Sequence, residues 1–147
     1  MGLDPGDIQL EVTESVLLGR TADHVKRTLE VISQHGIKVA LDDFGTGFAS
    51  LSHLKQFPVD VIKIDRTFVR DLQVDEQDGV IVHALIGLAA ALGLEVVAEG
   101  IETTAQRDFL TALGCTTGQG YLFGKPEPAS RVPKTLGWRG RSDLAAA

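Results

Sequence analysis

Short apolar runs rich in Val and Ile alternate along this chain with longer segments of helical period, and this alternation constrains the fold more than any other feature. The runs are apolar along nearly their whole length rather than at every second residue. Strands of that kind are covered on both faces, as in a parallel sheet packed under helices. Five strands are predicted, Ile8-Glu14, Ile37-Phe44, Val59-Asp65, Leu94-Gly100 and Thr116-Phe123. Helices are predicted between them at Ala22-Gln34, Ala49-Gln56, Asp78-Leu92 and Thr104-Leu113.

The boundaries are punctuated consistently. HGIKVAL and LGLEVVA share one helix-to-strand transition, with Gly36 and Gly93 where a left-handed residue ends a helix, and Gly114 stands at the same place in the next unit. Pro58 stops the helix before the third strand. Thr103 or Thr104 caps the fourth helix, and Glu102 favours its positive end. The rhythm implies an α/β fold with a parallel sheet, either doubly wound or closed as a barrel.

A length of 147 residues and a hydrophobic content of 44% fit one core-forming domain. Its longest apolar stretch, Val80 to Leu94, is broken by His83, Gly87 and Gly93 and falls short of the roughly 20 residues that span a bilayer. No membrane segment is expected. The start, MGLDPGD, has no basic region followed by an apolar core, so a cytoplasmic location is expected. Cys115 is the sole cysteine, which excludes an internal disulfide and a thiolate cluster and leaves oxygen or histidine to hold any metal. With a net charge of −6 and its 14 basic residues scattered, the chain lacks the basic footprint of a nucleic-acid polymer binder. A small phosphate ligand is compatible with that charge, because a metal supplies positive charge locally. Periodicity fades after about Leu136, and residues 135–147, with Trp138, are expected to form a loose tail.

Each predicted strand ends in polar residues that packing alone does not call for: Glu11 and Glu14, then Asp42 and Asp43, Lys63 and Asp65, Glu99 and Glu102, and finally Gln119 and Tyr121. Ligand sites of parallel β/α folds lie at the carboxyl ends of the strands. Singly, Glu14, Asp65 and Glu102 are each explained as a solvated loop residue or a helix N-cap. Jointly, converging carboxylates repel one another unless a divalent cation such as Mg²⁺ or Mn²⁺ binds them. Adjacent Asp42 and Asp43 suit two metals if the strand end is irregular enough to aim both at the site, and two metals suit phosphate-ester hydrolysis.

Lys63, inside VDVIKID, is either a charge partner for Asp65 or a neighbouring acid, or a cation that orients a water or stabilises a pentacoordinate phosphate. The loop Phe44-Gly-Thr-Gly-Phe48 permits tight turns beside a ligand but lacks the lysine and spacing of a triphosphate-binding loop. His24, His35, His53 and His83 fall on predicted helices, away from the strand ends, and none is expected to be a ligand.

The segments EVTES, LDDFGTGFASL, VIKIDRTFV, VVAEGIET and GQGYLFGKP, in this order and spacing, resemble the EAL domain of cyclic di-GMP phosphodiesterases, from about Gly2 to Lys134. The resemblance implies a partial TIM-like barrel over residues 1–134, with its site at the carboxyl rim and one antiparallel strand in the complete family fold. It implies two Mg²⁺ or Mn²⁺ ions and the opening of cyclic di-GMP to linear pGpG. Carried onto matching positions, Glu11, Asp42, Asp43 and Glu99 are metal ligands and Lys63 holds the attacking water. Glu14 fixes the loop after Asp43, while Glu102 and Gln119 are catalytic or substrate-positioning groups. Where the family commonly reads FGTGYSSL, this chain has Phe48 and Ala49, which removes two hydroxyls that help anchor the loop.

The resemblance also implies that the family's Glu-Ala-Leu segment and two further metal ligands precede the matched region. Five parallel strands do not close a barrel, so their edges are expected to be covered by an amino-terminal half, a regulatory domain or a second copy of the chain. The alternative reading is an inactive EAL-like module that binds cyclic di-GMP or a protein partner.

Overall fold

The structure, a computed structural model, describes residues 4–18, 21–45, 51–72 and 76–131, without the side chains of 51–53 and 76. Parts of the loop after Asp43, including Phe48 and Ala49, and the tail with Trp138 lie outside the described residues.

After a short 3₁₀ turn at Pro5–Asp7 come β1 (Gln9–Thr13), α1 (Glu14–Leu17), α2 (Ala22–Gln34), β2 (Lys38–Phe44) and α3 (Leu51–Gln56). The chain continues through β3 (Val61–Ile64), α4 (Arg66–Arg70), α5 (Glu76–Leu92), β4 (Glu95–Ala98), α6 (Thr104–Ala112) and β5 (Thr117–Gly118). All four strand pairings are parallel, and the order across the sheet, β1-β2-β3-β4-β5, is the order along the chain. A doubly wound sheet reverses its strand order at a switch point. Unbroken sequential order, with crossovers of one hand, keeps every connecting helix on one side, as in a β/α barrel. The fold is thus α/β and barrel-like rather than doubly wound.

Period-two alternation sorts the strand residues between the two faces. Leu10, Val12, Val39, Leu41, Ile62 and Ile64 face the helices in two apolar clusters. Against them α2 lays Ala22, Val25, Leu29 and Ile32, spaced three and four apart as one face of a helix requires. The longer α5 spans both clusters, with Ala89 in one and Val82 and Ile86 in the other. Glu11, Ala40, Asp42, Val61 and Lys63 take the alternate positions, on the face that would line a barrel interior. At the two shared transitions Gly36 and Gly93 have φ of 83° and 71°, the left-handed geometry their positions called for.

Three elements differ from expectation. Glu14 does not extend β1 but opens α1, where Leu17 anchors the turn in the core at 1% exposure. Arg66–Arg70 is a helix, started by Asp65, whose side chain accepts from Thr67 N at 2.9 Å. The last strand is two residues long rather than eight, because the chain beyond it crosses to Ile101: Ile101 N donates to Gln119 O and Leu122 N to Ile101 O. At that crossing a side chain on Gly120 would meet the Ile101 carbonyl oxygen at 2.2 Å, a backbone approach that only glycine allows.

Candidate site at the strand ends

Register brings residues far apart in sequence to one rim. Glu11 lies opposite Ala40 and Thr13 opposite Asp42 across β1 and β2, while Lys63 lies opposite Val97, two residues before Glu99. Between β2 and β3 the register shifts, so that Leu41 pairs with Ile62 but Phe44 with Ile64. One extra residue is thereby inserted into β2 as a bulge. Asp43 takes φ 55°, alone among the described non-glycine residues in being positive. The strand end therefore has the irregularity needed for adjacent aspartates to share a site, stabilised by pairing on both sides of the bulge.

Lys63 is 4% exposed and stands at the centre. Its Nζ lies 2.6 Å from Glu99 Oε1, 2.8 Å from Glu11 Oε1 and 3.0 Å from Asp42 Oδ1. Burial alone would lower its pKa, but the contacts to Glu11, Glu99 and Asp42 outweigh burial and raise it, so the ammonium stays charged throughout the neutral range. The partners are these three acids rather than Asp65. A mobile cation in such a nest of carboxylates would be screened. Here the stem is enclosed by β-sheet neighbours and the charge is held in place.

Asp43 and Asp65 form a second, unequal pair. Burial pushes the Asp43 carboxyl above the usual carboxylate range, helped by the neighbouring charges of Asp42 and Asp65 and a hydrogen bond to Asp65. Burial acts the same way on Asp65, yet hydrogen bonds from the Thr67 hydroxyl and backbone, together with Asp43, carry it below that range. Asp65 has a structural role as the cap of α4 besides any role in chemistry.

Gln119 Nε2 donates to Glu99 Oε1 at 2.7 Å and holds that carboxylate from the outer side. Glu102 is exposed on the wall of a recess shared with Arg66, Glu99, Gln119, Tyr121 and Lys125, and its backbone N–H is taken by Gln106 Oε1. Glu14 is 4% exposed at the start of α1, facing inward rather than ending a strand. The sequence reading gave Arg66 and Lys125 no role. The signal available for Arg66 was its place directly after Asp65, at the end of β3.

Among the described residues no three His, Cys, Asp or Glu side chains are gathered to enclose a metal ion on their own. Glu11, Asp42 and Glu99 converge on the Lys63 ammonium instead. The donor set nevertheless fits a hard divalent cation: all are carboxylate oxygens, and Asp42 Oδ1 is buried with its ion pair to Lys63 but no aligned hydrogen bond.

The EAL domain model matches residues 1–126. This chain belongs to the EAL domain family. The Pseudomonas aeruginosa bifunctional diguanylate cyclase/cyclic di-GMP phosphodiesterase MucR is 47% identical over 130 residues, which cover 88% of this EAL chain and 19% of MucR. The solved PaMucR phosphodiesterase in complex with c-di-GMP matches with a TM-score of 0.83 and 47% identity, over 88% of this chain and 52% of that one. Klebsiella pneumoniae BlrP1, solved with manganese and cyclic di-GMP, matches with a TM-score of 0.78 and 37% identity, over 85% of this chain and 32% of that one. This EAL chain thus spans about half the solved MucR chain and about a fifth of whole MucR. The α/β fold is the TIM-barrel-like one of EAL domains. Among its described residues no helix is long and apolar enough to cross a membrane.

Proposed function

We propose that this chain carries the carboxyl-terminal part of a metal-dependent site that hydrolyses cyclic di-GMP to linear pGpG. The observation that carries the reading is the buried Lys63 ammonium held by Glu11, Asp42 and Glu99 at the carboxyl rim of a parallel sheet. The solved MucR and BlrP1 complexes with cyclic di-GMP support the choice of substrate.

Glu11, Asp42, Asp43 and Glu99 would hold Mg²⁺ or Mn²⁺. Such ions neutralise phosphate charge and acidify water at neutral pH. Lys63 Nζ, fixed in its protonated form by three carboxylates, would turn its N–H donors to the attacking water and the phosphate when a bound cation draws those carboxylates to itself, and would stabilise the charge that accumulates there. Gln119 orients Glu99 through its 2.7 Å bond. Glu14, buried behind β1, supports the loop that follows Asp43, and Glu102 positions substrate from the recess wall. In the same reading the outer edges of β1 and β5 are covered by upstream EAL sequence, a regulatory domain or a second copy, since five parallel strands leave two edges unpaired.

A second reading, an inactive module that binds cyclic di-GMP or docks a protein, is favoured by the absence of a three-acid metal group among the described residues. Incubation with cyclic di-GMP and Mn²⁺ separates the two. Hydrolysis to pGpG that falls at least about a hundredfold in Asp42→Asn, the scale of losing one preorganised electrostatic group, supports the first. Absence of pGpG, even when upstream EAL sequence is restored, refutes it. Calorimetric binding of cyclic di-GMP with Ca²⁺ would then support the binding module, and no heat would leave protein docking.

A further inference from the structure

Among the described residues four polar side chains are buried, and three of them, Glu14, Lys63 and Asp65, lie at or beside the strand ends. The fourth is Gln106, 6% exposed on α6 one turn before the buried Leu110, where an apolar residue would continue the same face. Burying an amide costs free energy unless its groups are paired, and all four hydrogen-bonding positions of this one are filled. Its Oε1 accepts from Glu102 N and Thr103 N, both at 2.9 Å, and its Nε2 donates to Val69 O at 3.1 Å and Arg70 O at 3.2 Å. A capping box needs only the bond from Thr103 N. The other three exceed it, and two of them reach the last carbonyls of α4, which have no partner within their own helix.

The turn that Gln106 ties down has space behind it. A recess of about 300 Å³ separates it from α4, lined by Arg66, Thr67, Arg70, Gly100, Glu102 and Gln106. Glu102 therefore stands between two cavities, this one and the recess beside Glu99. Up to Ile101 the chain is held by its strand neighbours, with Glu99 N donating to Ile64 O and Ile101 N to Gln119 O. At Glu102 that support ends, close packing does not replace it on the α4 side, and the Gln106 amide is the strut across the gap.

We propose that Gln106 is a positioning residue, whose amide spaces the Glu102 turn from α4 and so sets where Glu102 meets substrate. This rests on the reading of Glu102 as a substrate-positioning group, whereas the strut itself is testable without substrate.

Backbone ¹⁵N relaxation of the folded protein tests the strut. Gln106→Met, similar in volume, removes all four bonds, and Gln106→Glu keeps the two accepted bonds but loses the two donated ones. In both, order parameters of the Glu102 and Thr103 amides are expected to fall from the rigid level of about 0.85 toward the flexible range below about 0.6. Thr103→Ala removes the hydroxyl half of the capping box and leaves the amide strut in place, so its order parameters stay at the parent level. Parent-like values in the Gln106 variants, or an equal fall in Thr103→Ala, overturn the proposal. So does failure of both Gln106 variants to fold, which would make the residue a general stabiliser.

Positioning is read with cyclic di-GMP and Mn²⁺. Gln106→Met is expected to raise KM by on the order of tenfold, with kcat and the Mn²⁺ midpoint within about threefold of the parent, because Glu99 is held by its own strand and by Gln119. In a Glu102→Gln background the same substitution is expected to change KM by less than about twofold, since its effect passes through Glu102. Additive losses overturn the proposal. If the parent does not cleave cyclic di-GMP, the phosphodiesterase reading fails separately, and the relaxation comparison decides Gln106.

Discussion

Replacing Lys63 by Met removes the one charge that holds the strand-end carboxylates together. Taking one partner from a fully buried ion pair costs about 3–5 kcal/mol, because the other charge is left uncompensated. Here that figure is reduced unevenly. The Glu11 side chain is 45% exposed, so its pair with Lys63 is screened and contributes no more than about 1 kcal/mol. Asp42 and Glu99, 23% and 16% exposed, retain most of the penalty. Since Met fills nearly the same space, a net destabilisation of about 2–4 kcal/mol follows. At about 3 °C per kcal/mol for a domain of this size, the Tm falls by roughly 6–12 °C.

The pH dependence has a definite sign. Lys63 has its pKa raised in the folded state, so its stabilisation is fully present below the ordinary lysine value of 10.5 and is lost only as pH climbs through the higher folded value. The deficit of Lys63→Met is therefore constant between about pH 6 and about pH 9. Thermal melts and urea midpoints of both proteins at the two ends of that range measure it. In the same variant the freed carboxylates gain affinity for a cation, so Mn²⁺ raises its Tm more than that of the parent. A Tm deficit under about 2 °C, or one that changes across the range, refutes the ion-pair account. Equal Mn²⁺ responses refute the carboxylate set as a cation site.

Gly120→Ala places a Cβ 2.2 Å from Ile101 O and 2.3 Å from Ile101 N, and is expected to lower stability in urea by at least about 1–3 kcal/mol. Gly124→Ala, which meets nothing within 4 Å, is expected to stay within about 0.5 kcal/mol of the parent. Gln106→Leu removes the side-chain half of the capping box, in which Gln106 Oε1 accepts from Thr103 N and Glu102 N, and the bonds to Val69 O and Arg70 O, while the residue-106 N–H still donates to Thr103 Oγ1. The cap and the orphaned carbonyls together predict a loss of about 2–3 kcal/mol by chemical denaturation. Burial pushes the Cys115 thiol up from its ordinary value of 9.0, so the unfolded chain ionises first and stability declines as pH rises above that value. A thiol reagent is expected to label Cys115 only at the rate of global opening, and fast labelling of the native chain would refute its burial.

Much of the fold is legible in local sequence because its signals are local. The apolar runs mark four of the five strands to within a few residues, and Gly36 and Gly93 mark where helices hand over to them. The element least legible was the last strand. Thr116-Phe123 has the composition of a strand, but Gly120 must cross the Ile101 backbone, and that contact is made by a residue distant in the chain. The short helix Arg66–Arg70 was also hidden, because Asp65 reads equally as a strand-end acid and as the cap it provides. At the rim, the polar ends of the strands announced a shared site, whereas the pairing of Asp43 with Asp65 did not appear in any spacing.

The sequence by itself determined that strands and helices alternate, that acids and one lysine end the strands, and through its motifs that the chain belongs among EAL domains. Residue type and period were sufficient for this, since both act within a few residues. Only the tertiary structure decided that the strands run in sequential order, that a bulge at Asp43 breaks the register, and that Lys63 is shared by Glu11, Asp42 and Glu99. Those outcomes depend on which strand edges meet and in what register. Each of the four strands that contribute to the rim is positioned by its neighbours, so the charge balance at the site is a property of the assembled sheet and not of any one segment.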